Sequence, residues 1–185
     1  MKSIAIIQDE HRSITAVIEG LRQVLREIEA GRRAPDFELL AAMFRYIEAF
    51  PERLHHPKED EYLFRKLRER TAEANPELDE LERQHVRDEK QVLELAALVD
   101  RYAAGTASVA DVEQAVSHYA QTIWEHMGRE EGVILPLAQR HLTDEDWIEI
   151  NEAFQKNMDP RFGGDTDAEF KRLFSRIVNL APSSN

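Results

Sequence analysis

His55-His56-Pro57-Lys58-Glu59-Asp60-Glu61-Tyr62-Leu63-Phe64 places a histidine and a glutamate, His55 and Glu59, four residues apart within a run of helical apolar periodicity. Residues i and i+4 of a helix share a face, so this imidazole and this carboxylate point the same way. One such pair is common on a solvated helix and decides nothing. This one has a second copy, His126 and Glu130, within Glu125-His126-Met127-Gly128-Arg129-Glu130-Glu131-Gly132-Val133-Ile134-Leu135-Pro136. A lone histidine precedes each pair: His11 stands 44 residues before His55, and His85 stands 41 before His126. Corresponding histidines of the two copies lie 74 and 71 residues apart. Four imidazoles and two carboxylates repeated in this way form a metal-ligand set. Mixed nitrogen and oxygen donors favour iron or its neighbours, with manganese and zinc also accepted.

Outward from these pairs, apolar residues recur at helical spacing almost throughout the chain. A first helix is predicted from Ser3 to about Ala30, with Ile7, Ile14, Val17, Ile18, Leu21 and Leu25 facing inward. Gly31 to Asp36 ends it, and Asp36 is placed to cap the next. The second helix carries Phe37, Leu40, Phe44, Ile47, Leu54, Leu63 and Leu67 to about Arg70, and Pro51 and Pro57 predict a local loosening inside it. Asn75-Pro76 opens a third helix through Leu81, Val92, Leu95 and Leu98 to about Ala104. After Gly105-Thr106-Ala107-Ser108 a fourth helix runs through Val112, Val116, Ile123, Val133 and Leu137 to about His141.

Four long helices with short connections predict an all-α, up-down-up-down four-helix bundle. Arithmetic tests this. His11 and His85 each lie about 19 residues from the end of their helices, and His55 and His126 about 19 and 18 past the start of theirs; at ~1.5 Å per residue all four reach one level, about 28 Å from one end. Residues 1–142 are accordingly read as the bundle. Residues 143–185 are read as a helical extension packed on the bundle or on a second subunit. Within it Thr143 caps a helix bearing Trp147, Ile150 and Phe154, Pro160 to Asp165 is a loop, and Phe170, Leu173, Phe174 and Ile177 mark a last short helix.

Composition narrows the function. The chain has 185 residues, 42% hydrophobic and 32% charged, which suits one soluble globular domain with a well-solvated surface. A formal charge of -12 opposes binding to nucleic acid or to an anionic membrane face. The absence of cysteine excludes disulfides, thiolate zinc sites, iron–sulfur clusters and cysteine nucleophiles. The N-terminal apolar run is too short for a signal peptide and no stretch reaches the length of a membrane span, so the expected location is cytoplasmic.

Other polar residues near the pairs are assigned lesser roles. His56 and Asp60 lie about 100° round the helix from His55 and Glu59, away from Leu63 and Leu67, and are read as exposed or as supporting a ligand. Glu10 and Glu131 are read as outer-face or ligand-orienting carboxylates. Glu89, four residues after His85, is a candidate for an additional metal ligand or a ligand-orienting group. His118 is read as a buried or surface histidine, and His141 as suiting its helix C-terminus. Tyr62 and Tyr119 stand seven residues from ligand histidines and are read first as core, with a hydrogen bond to the site as the alternative.

The two long motifs, with Asp9-Glu10-His11-Arg12 and Arg83-Gln84-His85-Val86, resemble the signature of hemerythrin-like (HHE cation-binding) domains over about residues 4–142. The resemblance implies a bundle holding a non-haem di-iron centre, two iron ions bridged by carboxylates and an oxo or hydroxo group. On this chain His11, His55, His85 and His126 would be terminal ligands, and Glu59 and Glu130 would bridge. Oxygen-carrying members have a second histidine four residues after the third-helix ligand, where this chain has Glu89. It is therefore more similar to four-histidine members, including the bacterial iron–sulfur cluster repair type. That type carries an N-terminal cysteine segment, so cluster repair is not assigned. The resemblance implies a protein that binds, senses or reacts with dioxygen, nitric oxide or peroxide. A di-iron oxidase or catalase-like enzyme and a metal-stabilised interaction scaffold are the alternatives, and self-association is expected to run through the C-terminal helices.

Overall fold

The computed structural model describes residues 2–155. Helix α1 spans Lys2–Glu29. Helix α2 is continuous over residues 37–70 but changes character along its length: Phe37–Ile47, His56–Lys58 and Arg65–Arg70 are α-helical, whereas Glu48–His55 and Glu59–Phe64 are π-helical. Helix α3 spans Asn75–Ala103. Helix α4 runs over residues 109–141, with a π segment at Glu130–Ile134 between Val109–Arg129 and Leu135–His141. Helix α5 spans Asp144–Gln155. Among the described residues there is no strand, and no helix is long and apolar enough to cross a membrane. The expected loop at 160–165 and final helix around 170–177 lie outside the described residues.

Local chemistry sets the helix ends. Gly31 and Gly105 adopt positive φ of 68° and 73°, the left-handed conformation that glycine takes without a Cβ penalty. Each closes its helix with a pair of bonds: Arg32 N to Glu27 O with Gly31 N to Ile28 O, and Thr106 N to Arg101 O with Gly105 N to Tyr102 O. Asp36 caps α2 by accepting from Leu39 N at 3.0 Å. Ser108 and Asp111 form a reciprocal capping box on α4, and Thr143 and Asp146 do the same for α5.

Neighbouring helices pack in sequence order and α4 returns against α1, closing the bundle. Its apolar interior falls into two clusters. One, from Ile14 and Val17 to Ile123 and Met127, fills the end near the α1–α2 and α3–α4 loops. The other joins Ile4, Ile7, Leu63, Phe64, Leu78, Leu81 and Ile134 to Trp147, Ile150 and Phe154 of α5, which covers the opposite end. Leu54 and Val133, counted in the apolar periodicity of their helices, are exposed at 38% and 40%. Both lie in π segments, where i→i+5 bonding changes the angular step and carries these positions off the inner face.

Candidate metal centre

The buried polar side chains His11, His55, His56, Glu59, His85, His126 and Glu130 lie inside the bundle. Their potential donor atoms form two tight groups: His11, His55, Glu59 and Glu130 in one, and His56, Glu59, His85 and His126 in the other. Glu59 belongs to both. All six residues named from the two motif copies are thus brought together, from four helices, at one level.

The imidazoles meet through Nε2. His11 Nε2 and His55 Nε2 are 3.1 Å apart, as are His85 Nε2 and His126 Nε2. Each Nδ1 instead turns outward to a polar partner: His11 to Glu131 at 2.8 Å, His55 to Glu10 at 2.6 Å, His85 to Asp60 at 2.9 Å, and His126 to Gln84 at 2.9 Å. An acceptor at Nδ1 fixes the tautomer that leaves the Nε2 lone pair free for a metal and raises its basicity. Glu10, Glu131 and Asp60 therefore orient histidines. Gln84 does the same with a neutral amide, and sequence reasoning missed it.

The two carboxylates span the gap between the imidazole pairs. Glu59 sets Oε1 3.4 Å from His55 and Oε2 3.8 Å from His85. Glu130 sets Oε2 3.2 Å from His11 and Oε1 3.2 Å from His126. None of these four buried oxygens has an aligned hydrogen-bond partner. Buried carboxylates without donors are costly, and a cation between them removes the cost. The donor set and these oxygens together suit metal cations held between the two imidazole pairs.

Electrostatics in the metal-free chain lead the same way. Burial and the charge of Glu130 push the Glu59 carboxyl well above its ordinary range. Burial also opposes ionisation of Glu130, but His126 and His11 outweigh it and hold that carboxyl well below its ordinary range. Burial disfavours the His11 cation too, yet the neighbouring carboxylates of Glu130 and Glu131 prevail and raise it to about 9. Burial and the neighbouring histidine charges lower His55 strongly, and burial with His56 lowers His85 to about 4. The dry layer thus settles for few net charges, and metal binding there must displace protons.

Two placements depart from the sequence reading. His56, assigned to the exposed or supporting set, is buried at 4%. Its ring stacks on His85 at 4.3 Å with an interplanar angle of 10°, and it belongs to the second donor group. Where α and π turns alternate beside Pro57, both consecutive histidines are buried. The adjacent His-His dipeptide beside proline was the available signal. Glu89 is exposed and belongs to neither group; Asp88 is the buried acid on that stretch. The inward positions of α3 are Leu78, Leu81, Gln84, His85, Asp88, Val92, Leu95 and Val99. This stripe passes over residue 89. Tyr119 donates a hydrogen bond to Glu52 at 3.3 Å, His118 is exposed, and His141 lies 3.3 Å from Glu73.

The family model for the hemerythrin HHE cation binding domain matches residues 2–138. No curated protein and no solved structure gave a match to the chain.

Proposed function

The chain belongs to the hemerythrin HHE cation-binding family, and from that premise we propose that it is a non-haem di-iron protein that binds, senses or reacts with dioxygen, nitric oxide or peroxide. The observation that carries this reading is the pair of donor groups sharing Glu59, with four unpartnered carboxylate oxygens between facing imidazole pairs. Bound iron would supply one-electron redox chemistry and a position for a small ligand. The chain does the rest. His11, His55, His56, His85 and His126 present nitrogen donors from the bundle wall. Glu59 and Glu130 neutralise charge and would hold two ions at a fixed separation. Glu10, Glu131, Asp60 and Gln84 keep the rings aimed. The apolar clusters above and below exclude bulk water, so only a small molecule reaches the centre. Manganese or zinc would fit similar donors, so metal identity is part of the test.

The test is anaerobic reconstitution with Fe(II), followed by metal analysis and visible spectra before and after air, nitric oxide and hydrogen peroxide. Two irons per chain and a spectral change on exposure to any of the three are expected. A single zinc or other ion per chain, with no response to any of them, would overturn the reading. Turnover of peroxide far above that of free iron would make the protein an enzyme of catalase-like type.

A further inference from the structure

Next to the metal centre lies a second buried polar group that metal binding does not require. Tyr119 is on α4, two turns and about 10 Å along the axis from His126. It is buried, and its hydroxyl donates to Glu52 Oε1 at 3.3 Å. The other carboxylate oxygen, Glu52 Oε2, is 3.3 Å from His56 Nδ1. His56 in turn stacks on His85 within the second donor group. Phenol, carboxylate and imidazole therefore lie in series beside the centre, the last contact at ion-pair distance without an aligned hydrogen bond. On its other side Tyr119 forms part of the floor of a groove of about 440 Å³ between α3 and α4, beside Leu95, Leu98, Arg101 and Ala115. An external one-electron donor would approach from that side.

Tyr119 cannot easily ionise by itself: burial, then the charges of Glu52 and Asp88, hold its hydroxyl well above the usual phenol range. A proton leaves this oxygen readily only if an electron leaves with it.

We infer that Tyr119 is a redox-active side chain, linked to the metal centre through Glu52 and His56, that gives up one electron and one proton when the centre is oxidised by peroxide. The inference rests on the di-iron reading. In the step the Tyr119 O–H bond would break, its proton would form a new O–H bond on Glu52, and its electron would go to peroxide: a first equivalent is spent in taking one electron from each Fe(II), and a second would take one electron from Tyr119 and one from bound iron, its O–O bond breaking to leave two hydroxides. A neutral tyrosyl radical and a protonated Glu52 remain. Tyr46 offers a competing route, since it stacks on Phe50 at 5.6 Å and Phe50 stacks on His55 at 6.3 Å.

The experiment is rapid freezing of the Fe(II)-loaded full chain after mixing with hydrogen peroxide in several-fold excess over the iron pair, read by electron paramagnetic resonance, with iron content measured on the same samples. An organic radical is expected whose hyperfine pattern collapses with ring-deuterated tyrosine and which is absent in Y119F. In E52Q, whose carboxamide cannot take the proton, it should form about a hundredfold more slowly. A radical that persists in Y119F, or that disappears in Y46F instead, overturns the assignment. So does wild-type protein that holds two oxidised irons and shows no radical, an outcome that leaves the di-iron reading standing. A chain that binds no iron sinks both.

Discussion

Glu59 and Glu130 share a space that cannot keep two negative charges without a counter-ion. In the metal-free chain burial, reinforced by Glu130, drives Glu59 towards its protonated form, while Glu130 keeps its charge through His126 and His11. Glutamine is close in shape and charge to a protonated glutamate. Glu59→Gln should therefore leave the metal-free protein as stable as the wild type or more stable by roughly 1 kcal/mol, yet cut iron binding to one ion or fewer. Thermal unfolding of both metal-free forms, with metal analysis after loading, checks this. At this scale the sequence was most legible where a spacing repeats. His11, His55, Glu59, His85, His126 and Glu130 could be named because two copies agree. His56 could not, because a regular α-helix turns adjacent residues about 100° apart, and the face shared with Leu63 and Leu67 pointed to His55 alone. Glu89 failed for the converse reason, since four-residue spacing shares a face only locally and the buried stripe of α3 passes over it.

The π segments are where helix geometry and ligand placement meet. Glu48–His55 ends on one ligand candidate, Glu59–Phe64 begins on another, and Glu130–Ile134 begins on a third. A proline accompanies each. Pro51 lies within the first, Pro57 just before the second and Pro136 just after the third. Proline has no N–H to give the carbonyl four residues back and its ring crowds that carbonyl, so wider i→i+5 bonding is favoured locally. Loosening at Pro51 and Pro57 could be read from the sequence. Pro136 carries the same signal, although the fourth helix was expected to run unbroken past Val133. Pro136 is exposed, so Pro136→Ala disturbs little packing. It should shorten the π segment, shift Glu130, and weaken iron affinity by roughly tenfold with little change in helical content; iron titration with circular dichroism reads both. Helix α5 depends on a different device. Asp146 completes the cap with Thr143 and also accepts from Arg70 Nε and Nη2 at 2.7 and 2.9 Å. The Arg70 guanidinium, with Thr143, holds its carboxyl well below the ordinary range against the effect of burial. Its contribution is therefore complete above about pH 4, near the unfolded value, and is lost as pH falls towards the folded one. Asp146→Asn should cost roughly 2 kcal/mol at pH 7, with the deficit shrinking at pH 3 and below in urea unfolding.

Over the whole molecule, a polar layer of histidines and carboxylates separates two apolar clusters. The bundle was legible from apolar periodicity, because every long helix buries one face along most of its length. The role of α5 as a cover was less so: Trp147, Ile150 and Phe154 announced an apolar face, but periodicity does not say against which end that face packs. The layer holds carboxylate oxygens at mid-bundle that lack an aligned hydrogen bond. Iron bound only by the folded chain should stabilise it by about 2.7 kcal/mol at a free concentration one hundred times the dissociation constant. That corresponds to a rise in Tm of roughly 5–10 °C. Calorimetry of iron-loaded protein before and after chelation measures it; an unchanged Tm with full occupancy would mean that the four helices are held without help from the layer.

The two donor groups are unequal: His56 gives its side three imidazoles where the His11 side has two, and Glu59 is common to both. An incoming ion would not choose between them at random. The nitrogen-rich berth would fill ahead of its neighbour, so a half-loaded population would be one defined species rather than a mixture. The vacant berth of that species would then accept a second element, and the chain could carry an unlike couple in a fixed order.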